Sequence, residues 1–455
     1  MNRSHRAAYV TLAGCLALAM VPGAHAVPSS SRTATAPAAA VKAVPVLPAA
    51  KTEGVATTPA GVQKALAAAL GHPSLGNHPG AIVYDVSRGR QLYAKGAGTT
   101  YVPASTLKVL TTLGSLAALG PDHKFTTKVV STGGTSLVLV GGGDPLLVSR
   151  RPKAPGYPKL ANLPDLASAT AKALKAKKVA SVTVGYDASL FSGPAINHKW
   201  QPNYVPEGIA GPTSALWVDQ GRNTPGLAKR AASPSQAAAR KFVAALLQLG
   251  IKANLGKPVK APATASLVAQ VQSPPLSAVA GYVNLHSDND GAEVLLRHIG
   301  LGIRSDGSYQ GGIAALRTTL TRLGLTLGAA RIEDGSGLSR TNAVPLSLLA
   351  GALRLAADPA HPELRSLLPG LPVAAFNGSL AERFITAGTA AGQGYVRAKT
   401  GTLTGVHSLA GFVRTRSGTM LAFVVATDSV QPSNALEARA ALDRAAAALA
   451  ACGCA

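Results

Sequence analysis

The sequence predicts a mixed α/β (α+β) protein in which a sheet packs against helices. β-Branched and aromatic residues in 80–86, followed by a turn at 88–90, predict a β-hairpin. A helix that opens at Pro103 follows this hairpin, and two further strands are predicted over 408–415 and 419–426. A hairpin that leads into a central helix implies a sheet packed against helices.

Short strand and helix patterns alternate over residues 124–268, whereas long helical patterns follow them. Residues 124–268 are therefore predicted to form an inserted region of mixed α/β type with its own small core. The predicted elements of this region are strands over 124–130, 136–140 and 179–186 and helices over 163–175 and 236–249. The main domain is then formed by two parts, residues 61–123 and residues 269–450. The second part carries helical patterns over 276–283, 292–300, 311–323, 346–357 and 434–449.

Both ends of the chain are predicted to lie outside the folded body. Arg3 and Arg6, an apolar run over 7–21 and a small-residue site ending at Ala26 predict a signal peptide over 1–26. A lipid-modified Cys15 and an uncleaved anchor are the alternatives. An Ala/Pro-rich linker follows over 27–60. We therefore expect a secreted, cell-wall-associated protein.

The C-terminal tail, residues 451–455, contains Cys452 and Cys454 and is expected to be exposed, with the two thiols either paired or free. No cluster of His, Cys and Asp has the spacing of a zinc site, so neither a metal ion nor a cofactor is expected.

Composition limits the classes of partner. The formal net charge is +24, and removal of Arg3 and Arg6 with residues 1–26, which hold no acidic residue, leaves +22. A charge of this size favours anionic surroundings, either nucleic acid or an acidic wall or membrane surface. Aromatic residues make up only 4% of the chain, and no five basic residues are consecutive, which argues against nucleic acid. We expect electrostatic attachment to an anionic cell-wall polymer.

The first candidate site motif is Ser105-Thr106-Leu107-Lys108, at the start of the helix that Pro103 opens. Ser105 and Lys108 are three residues apart, so their side chains lie on one face within reach of each other. An amine beside a hydroxyl can remove its proton, and a helix N-terminus favours the developing negative charge. Ser-x-x-Lys alone is weak, because about two are expected by chance in a chain of this length.

Two further motifs strengthen the assignment. Ser287-Asp288-Asn289 precedes a predicted helix, and Lys399-Thr400-Gly401, followed by Thr402, lies in a predicted strand. A Lys-Thr-Gly is expected by chance in only about one chain in ten of this length. Each motif occurs once, in the order Ser-x-x-Lys, Ser-x-Asn, Lys-Thr-Gly, which is the set found in penicillin-binding proteins and class A β-lactamases.

Flanking segments narrow the resemblance to the class C low-molecular-mass penicillin-binding proteins, the D-alanyl-D-alanine carboxypeptidase/endopeptidases. The segments that resemble this family are 119–121, 141–145, 186–187, 190–191, 334–340 and 371–374, within about 60–450. The resemblance implies a serine β-lactamase/transpeptidase-like catalytic domain, interrupted by an inserted region between the first two motifs. Asp290-Gly291 departs from the family pattern, where apolar or aromatic residues are expected.

The resemblance also implies roles for the motif residues. It implies a serine-type D-Ala-D-Ala carboxypeptidase, with endopeptidase activity left open, which trims peptidoglycan stem peptides through an acyl-enzyme and is inhibited covalently by β-lactams. Ser105 is the nucleophile and Lys108 its base, with the oxyanion between the backbone N–H groups of Ser105 and Thr402. Ser287 bridges Lys108 and Lys399 and passes a proton to the leaving amine.

The remaining motif residues are expected to bind substrate. Asn289 contacts an amide of the substrate, while Lys399 and the hydroxyls of Thr400 and Thr402, with Gly401 between them, hold its terminal carboxylate.

Two other functions remain open. A β-lactamase of the same fold would need fast deacylation, and the chain lacks the Glu-x-x-Leu-Asn segment that assists it in class A enzymes. A catalytically silent wall-binding protein would not need the intact serine and lysine set. Residues 334–340 are either a Gly-rich turn or part of the site.

Overall fold

The structure is a computed structural model that describes residues 57–154 and 156–454. The predicted signal peptide and nearly all of the predicted linker lie outside the described residues. Within these ranges the helices are α1 (Pro59–Leu70), α2 (Lys108–Leu119), α3 (Leu163–Ala176), α4 (Pro234–Gln248), α5 (Leu276–His286), α6 (Asn289–Arg304), α7 (Tyr309–Arg322), α8 (Leu346–Ala357) and α9 (Ala435–Ala451). The strands are β1 (Pro79–Asp85), β2 (Arg90–Lys95), β3 (Thr100–Tyr101), β4 (Thr126–Gly133), β5 (Ser136–Val140), β6 (Ser181–Asp187), β7 (Lys252–Pro258), β8 (Ser266–Gln272), β9 (Val344–Pro345), β10 (Val396–Leu403), β11 (Val406–Arg414) and β12 (Met420–Thr427).

The main sheet joins the two ends of the folded chain. Its strand order is β10-β11-β12-β1-β2, and neighbouring strands are antiparallel. Successive side chains of a strand point to opposite faces of the sheet, so neighbouring residues of β1 pack into two different hydrophobic cores. Ile82 packs into the core that contains α2 and α6, whereas Val83 packs into the core that contains α1 and α9. The sheet is therefore covered by helices on both faces, and β10 forms one edge.

Helix α2 lies in the centre of the larger core. Its apolar residues Leu110, Leu113 and Leu116 have no solvent exposure, and α5, α6, α7 and α8 surround it. Gly120, at φ +83°, ends the helix in a conformation that favours glycine. Complete burial fixes the position of the first turn of α2, where Lys108 lies.

A second five-stranded sheet lies within residues 126–272, with the order β7-β6-β5-β4-β8. Helices α3 and α4 cover one face of it through Leu166 and Phe242. The predicted boundary at residue 268 falls inside β8, which pairs with β4 as far as Gln272. Strands β7 and β8 are missing from the sequence prediction because both are edge strands with mostly exposed or half-buried side chains, and so show no apolar run.

The expectation of an exposed C-terminal tail is wrong. Cys454 is only 8% exposed and forms a disulfide with Cys452. The Thr58 backbone N–H donates a 2.7 Å hydrogen bond to the Cys454 carbonyl, and the tail packs against Gly61 in the first turn of α1. The tail is therefore part of the layer formed by α1 and α9.

Candidate active site

Ser105 and Lys108 meet at the entrance to the central helix. Ser105 lies in a single 3₁₀ turn, Ala104–Leu107, and Lys108 is the first residue of α2. Side chains three residues apart are eclipsed in a 3₁₀ turn, so the two reach each other as the sequence predicts. The Lys108 Nζ lies 3.0 Å from the Ser105 Oγ.

The Lys108 amine is held by two further oxygens. It donates 2.7 Å hydrogen bonds to the Asn289 side-chain Oδ1 and to the Ser336 backbone carbonyl. Both oxygens can only accept, so a neutral amine directs its two N–H bonds there and its lone pair toward Ser105. Burial lowers the pKa of Lys108 to about 8, although the charges of Glu293 and Asp334 raise it. The geometry and the pKa both suit a base for the Ser105 hydroxyl.

The second motif forms the corner between α5 and α6. Ser287 ends α5 in the left-handed conformation, at φ +54°, and Asp288 caps α6 by accepting a 3.1 Å hydrogen bond from the Gly291 N–H. Asn289 then begins α6 with its oxygen on Lys108 and its amide donating 2.8 Å to the Ile209 carbonyl. In the structure Asn289 therefore positions the Lys108 amine, and its contact with substrate stays a prediction.

The third motif lies on the edge strand β10. The Lys399 Nζ donates 2.9 Å hydrogen bonds to the Ser287 Oγ and to the Thr400 carbonyl. The predicted bridge from Lys108 through Ser287 to Lys399 is only half present, because Ser287 contacts Lys399 and Lys108 uses Asn289 instead. Burial, and then the charge of Lys108, lower the pKa of Lys399 well below its ordinary range.

The residues beside Lys399 differ in their contacts. The Thr400 Oγ1 and the Ser379 Oγ share a 2.7 Å hydrogen bond, whereas Thr402 is exposed. A Cβ at Gly401 would collide with the Pro103 carbonyl and the Ser408 hydroxyl, so glycine lets β10 approach the Ser105 turn. Two buried lysines thus lie beneath an accessible rim of Ser105, Ser287, Asn289 and Thr402.

The loop over 334–340 belongs to the site and presents the Ser336 carbonyl to Lys108. The Asp334 carboxylate accepts hydrogen bonds from the Gly337 and Ser339 N–H groups, at 2.9 and 2.6 Å, and from the Asn342 amide at 2.8 Å. The sequence raised this loop only as one of two alternatives, since a Gly-rich segment alone does not show which atoms its backbone faces.

A second buried carboxylate supports the same loop. Glu293 of α6 accepts hydrogen bonds from the Gly335 and Ser336 N–H groups at 2.9 and 2.8 Å. Burial raises the pKa of Glu293 to about 8. Sequence reasoning missed Glu293, because Asp290 and Arg297 lie on the same side of α6 and the sequence does not show that this charged side is buried.

The inserted region completes the site, which the sequence does not predict. Its Ile209 carbonyl accepts from Asn289, and the Gly211 N–H donates a 2.7 Å hydrogen bond to the Asp290 Oδ1. Arg230 lies 2.6 Å from the other oxygen of Asp290, and both side chains are 3% exposed. Asp290, which departs from the expected family pattern, therefore joins the inserted region to the start of α6.

Two more contacts connect the inserted region with the catalytic loops. The Gln220 amide donates to the Asp288 carboxylate, and the Trp200 indole N–H donates 3.0 Å to the Asp334 Oδ2. Three buried or half-buried carboxylates beside the motif residues thus depend on groups from residues 200–230.

The described residues contain neither a candidate metal site nor a helix that could span a membrane. Within 57–154 and 156–454 no group of three or more His, Cys, Asp or Glu side chains could hold a metal ion. In the same residues no helix has both the length and the apolar character needed to cross a membrane.

Comparisons with known proteins agree with the geometry. The sequence profile of the family described as D-Ala-D-Ala carboxypeptidase 3 (S13) matches residues 62–233 and 222–449. A carboxypeptidase of Mycobacterium tuberculosis is 35% identical over 88% of this chain and 86% of its own length. The carboxypeptidase DacB of Mycolicibacterium smegmatis is 34% identical over 87% of this chain and 85% of its own.

A solved structure shows the fold. The crystal structure of penicillin-binding protein 4 from Haemophilus influenzae superposes with a TM-score of 0.67 at 23% identity, covering 84% of this chain and 98% of the other. The predicted mixed α/β fold of the transpeptidase type is confirmed.

Proposed function

The chain belongs to the D-Ala-D-Ala carboxypeptidase 3 (S13) family, and from this premise we propose that Ser105 and Lys108 perform its peptidase reaction. The protein is a serine-type D-Ala-D-Ala carboxypeptidase. One observation carries the assignment of residues: the buried Lys108 amine directs both N–H bonds of its neutral form to acceptor-only oxygens and faces the Ser105 hydroxyl at 3.0 Å.

In the acylation step, the Ser105 Oγ attacks the carbonyl carbon of the penultimate D-Ala while Lys108 takes the hydroxyl proton. The carbonyl oxygen becomes an oxyanion between the N–H groups of Ser105 and Thr402, at the close approach of β10 to the serine turn. The C–N bond then breaks, and the leaving D-Ala amine receives its proton through Ser287. Water hydrolyses the resulting ester and restores Ser105.

The terminal carboxylate of the substrate binds at Lys399, with Thr400 and Thr402 beside it. In the empty site, burial and the charge of Lys108 favour the neutral amine of Lys399. A bound carboxylate supplies the missing opposite charge and favours the ammonium form. The lysine therefore gains its charge where a substrate presents a carboxylate beside the scissile bond.

The protein acts on peptidoglycan outside the cytoplasm, as its family implies. We further propose that it is exported by residues 1–26 and is retained on anionic wall polymer by its charge of +22 over residues 27–455. Both proposals rest on the sequence.

A β-lactamase of the same fold is the competing function. The test measures D-Ala release from a muropeptide pentapeptide beside the turnover of benzylpenicillin by the same protein. We expect D-Ala release and a persistent penicillin adduct. Rapid penicillin turnover without D-Ala release would instead assign a β-lactamase, and neither activity would assign a silent binding protein.

A further inference from the structure

Most of the net positive charge of the chain lies in the inserted region. Residues 124–268, about a third of the chain, contain 19 Lys and Arg but only five Asp and Glu, a formal net charge of +14 out of +24. None of this excess is needed by the serine chemistry, since only Arg230 of these basic residues contacts a motif segment. The concentration of charge points to a separate binding role for this region.

An open groove of about 660 Å³ lies between α3 and α4, on the side of these helices away from the second sheet. Arg150, Arg151 and Lys241 of α4 are the basic residues that line it. Ser168 and Gln248 contribute a hydroxyl and an amide. The groove therefore combines cationic groups with neutral hydrogen-bonding groups.

The groove continues along α3 as a row of basic residues. Ser168, Lys172 and Lys175 follow one another at spacings of four and three, which places them on one face of the helix. The Lys175 Nζ lies 4.0 Å from the position that a Cβ of Gly250 would take, and Gly250 directly follows Leu249, which lines the groove. From Pro164 to Lys175 the helix rises about 16 Å, so the row can contact an extended chain.

Some of these charges are neutralised and others are not. Arg151 pairs with Asp165 at 2.7 Å, and Lys241 pairs with Asp219 at 3.1 Å. Within the described residues Arg150, Lys172 and Lys175 form no ion pair, and all three are exposed. The free charges thus lie in the groove at Arg150 and along the adjoining face of α3 at Lys172 and Lys175.

The lining indicates the chemistry of the ligand. The groove has no aromatic side chain, so it offers no stacking surface for a nucleobase or a sugar ring. Guanidinium and ammonium groups bind phosphate oxygens, and hydroxyl and amide side chains bind alcohols. We propose that this groove binds an anionic polyol-phosphate polymer. The inference deepens the wall attachment proposed above and rests on it, but it assigns the attachment to one site.

The test measures the affinity of the full-length mature protein for a synthetic glycerol-phosphate hexamer at physiological salt. The groove variant is Arg150→Gln/Lys172→Gln/Lys175→Gln. The matched control is Lys128→Gln/Lys257→Gln/Lys260→Gln, which removes the same charge from exposed residues of the same region that lie neither in the groove nor on the row along α3. Lys128 lies on the sheet face away from α3 and α4, since its neighbour Val129 faces those helices. D-Ala release should be unchanged in both variants and serves as the check on folding.

We expect the groove variant to lose affinity about tenfold or more and the control about twofold or less, because only the former loses direct phosphate contacts. Equal losses of affinity in both variants would contradict binding in the groove but would still agree with general electrostatic attachment. Undiminished affinity of the groove variant, or no binding of the hexamer by the unaltered protein, would also overturn it. Equal competition by polyglutamate of the same charge would overturn the assignment to phosphate.

Discussion

Arg230 and Asp290 form a buried ion pair, 2.6 Å long, between the inserted region and the first turn of α6. Asp290 directly follows Asn289, whose oxygen accepts a hydrogen bond from Lys108, the proposed base. Burial raises the pKa of Asp290 to about 6, although the Arg230 guanidinium opposes this shift. The pair therefore fixes the start of α6 against the inserted region and, through Asn289, positions the base.

Arg230→Met should lower the free energy of unfolding by about 3–5 kcal/mol, because it leaves a buried carboxylate without its partner. It should also slow acylation of the protein that remains folded, because Asn289 loses its support. The double variant Arg230→Met/Asp290→Asn removes the uncompensated charge and keeps an acceptor for Gly211, so part of both losses should return. Denaturant unfolding measures the stability of each protein in this series, and a fluorescent penicillin measures its acylation rate.

Arg383→Met is the matched control for that cycle. Arg383 and Asp443 form a buried ion pair of the same length in the layer of α9, and neither contacts a motif residue. This variant should lose similar stability while its folded fraction is acylated at the normal rate. Equal slowing of acylation by Arg383→Met and Arg230→Met would show that Arg230 acts on stability alone.

Acylation should depend on pH through Lys108. The reacting form is the free amine, so the rate rises as pH increases through the Lys108 pKa of about 8. Between pH 7 and 9 the fraction of free amine rises about tenfold, and the second-order acylation rate constant should follow it. A rate constant independent of pH across this range would mean that Lys108 is not the base.

Removal of the inserted region should abolish activity. A protein without residues 124–272 loses Gln220, Trp200 and Arg230, and thus removes one partner each from Asp288 and Asp334 and the ion-pair partner from Asp290. We expect no soluble protein that forms a penicillin adduct. The positions of the three motifs alone suggest instead that the inserted region takes no part in the chemistry. A soluble deletion protein that is acylated at a near-normal rate would support that view and contradict ours.

Wall retention should be sensitive to salt. If the basic surface attaches the protein to wall polymer, the bound fraction on isolated walls should fall steeply between low salt and about 0.5 M, as the Debye length shrinks. Sedimentation of the protein with purified walls measures this fraction. Retention that does not change with salt would indicate a specific receptor.

The contact between Ser105 and Lys108 and the strand that carries Lys399 could be predicted from sequence because both depend on residues close together in the chain. Ser105 and Lys108 meet within one turn, and the Lys399 segment forms a strand whose pattern is local. The mixed α/β fold could be predicted because most helices and the central strands show clear periodicity. The comparisons with known proteins confirm both this fold and the family.

The support of the site could not be predicted, because it depends on hydrogen bonds between distant segments. Gly211 and Asp290 are 79 residues apart, and Trp200 and Asp334 are 134 apart. No local pattern marks such pairs. The absence of a contact between Ser287 and Lys108 could not be predicted for the same reason. A motif identifies the residues of the site but does not show which of several neighbours each one contacts.

The central claim is that Ser105 is the nucleophile, and mass spectrometry of the benzylpenicillin adduct tests it most directly. The unaltered protein should gain the mass of one drug molecule on the peptide that contains Ser105, and Ser105→Ala should abolish both the adduct and D-Ala release. Ser136→Ala, at an exposed position of β5, should retain both. Lys399→Ala should slow the reaction without moving the attachment site. An adduct on any other residue, or an adduct that persists in Ser105→Ala, would contradict the account.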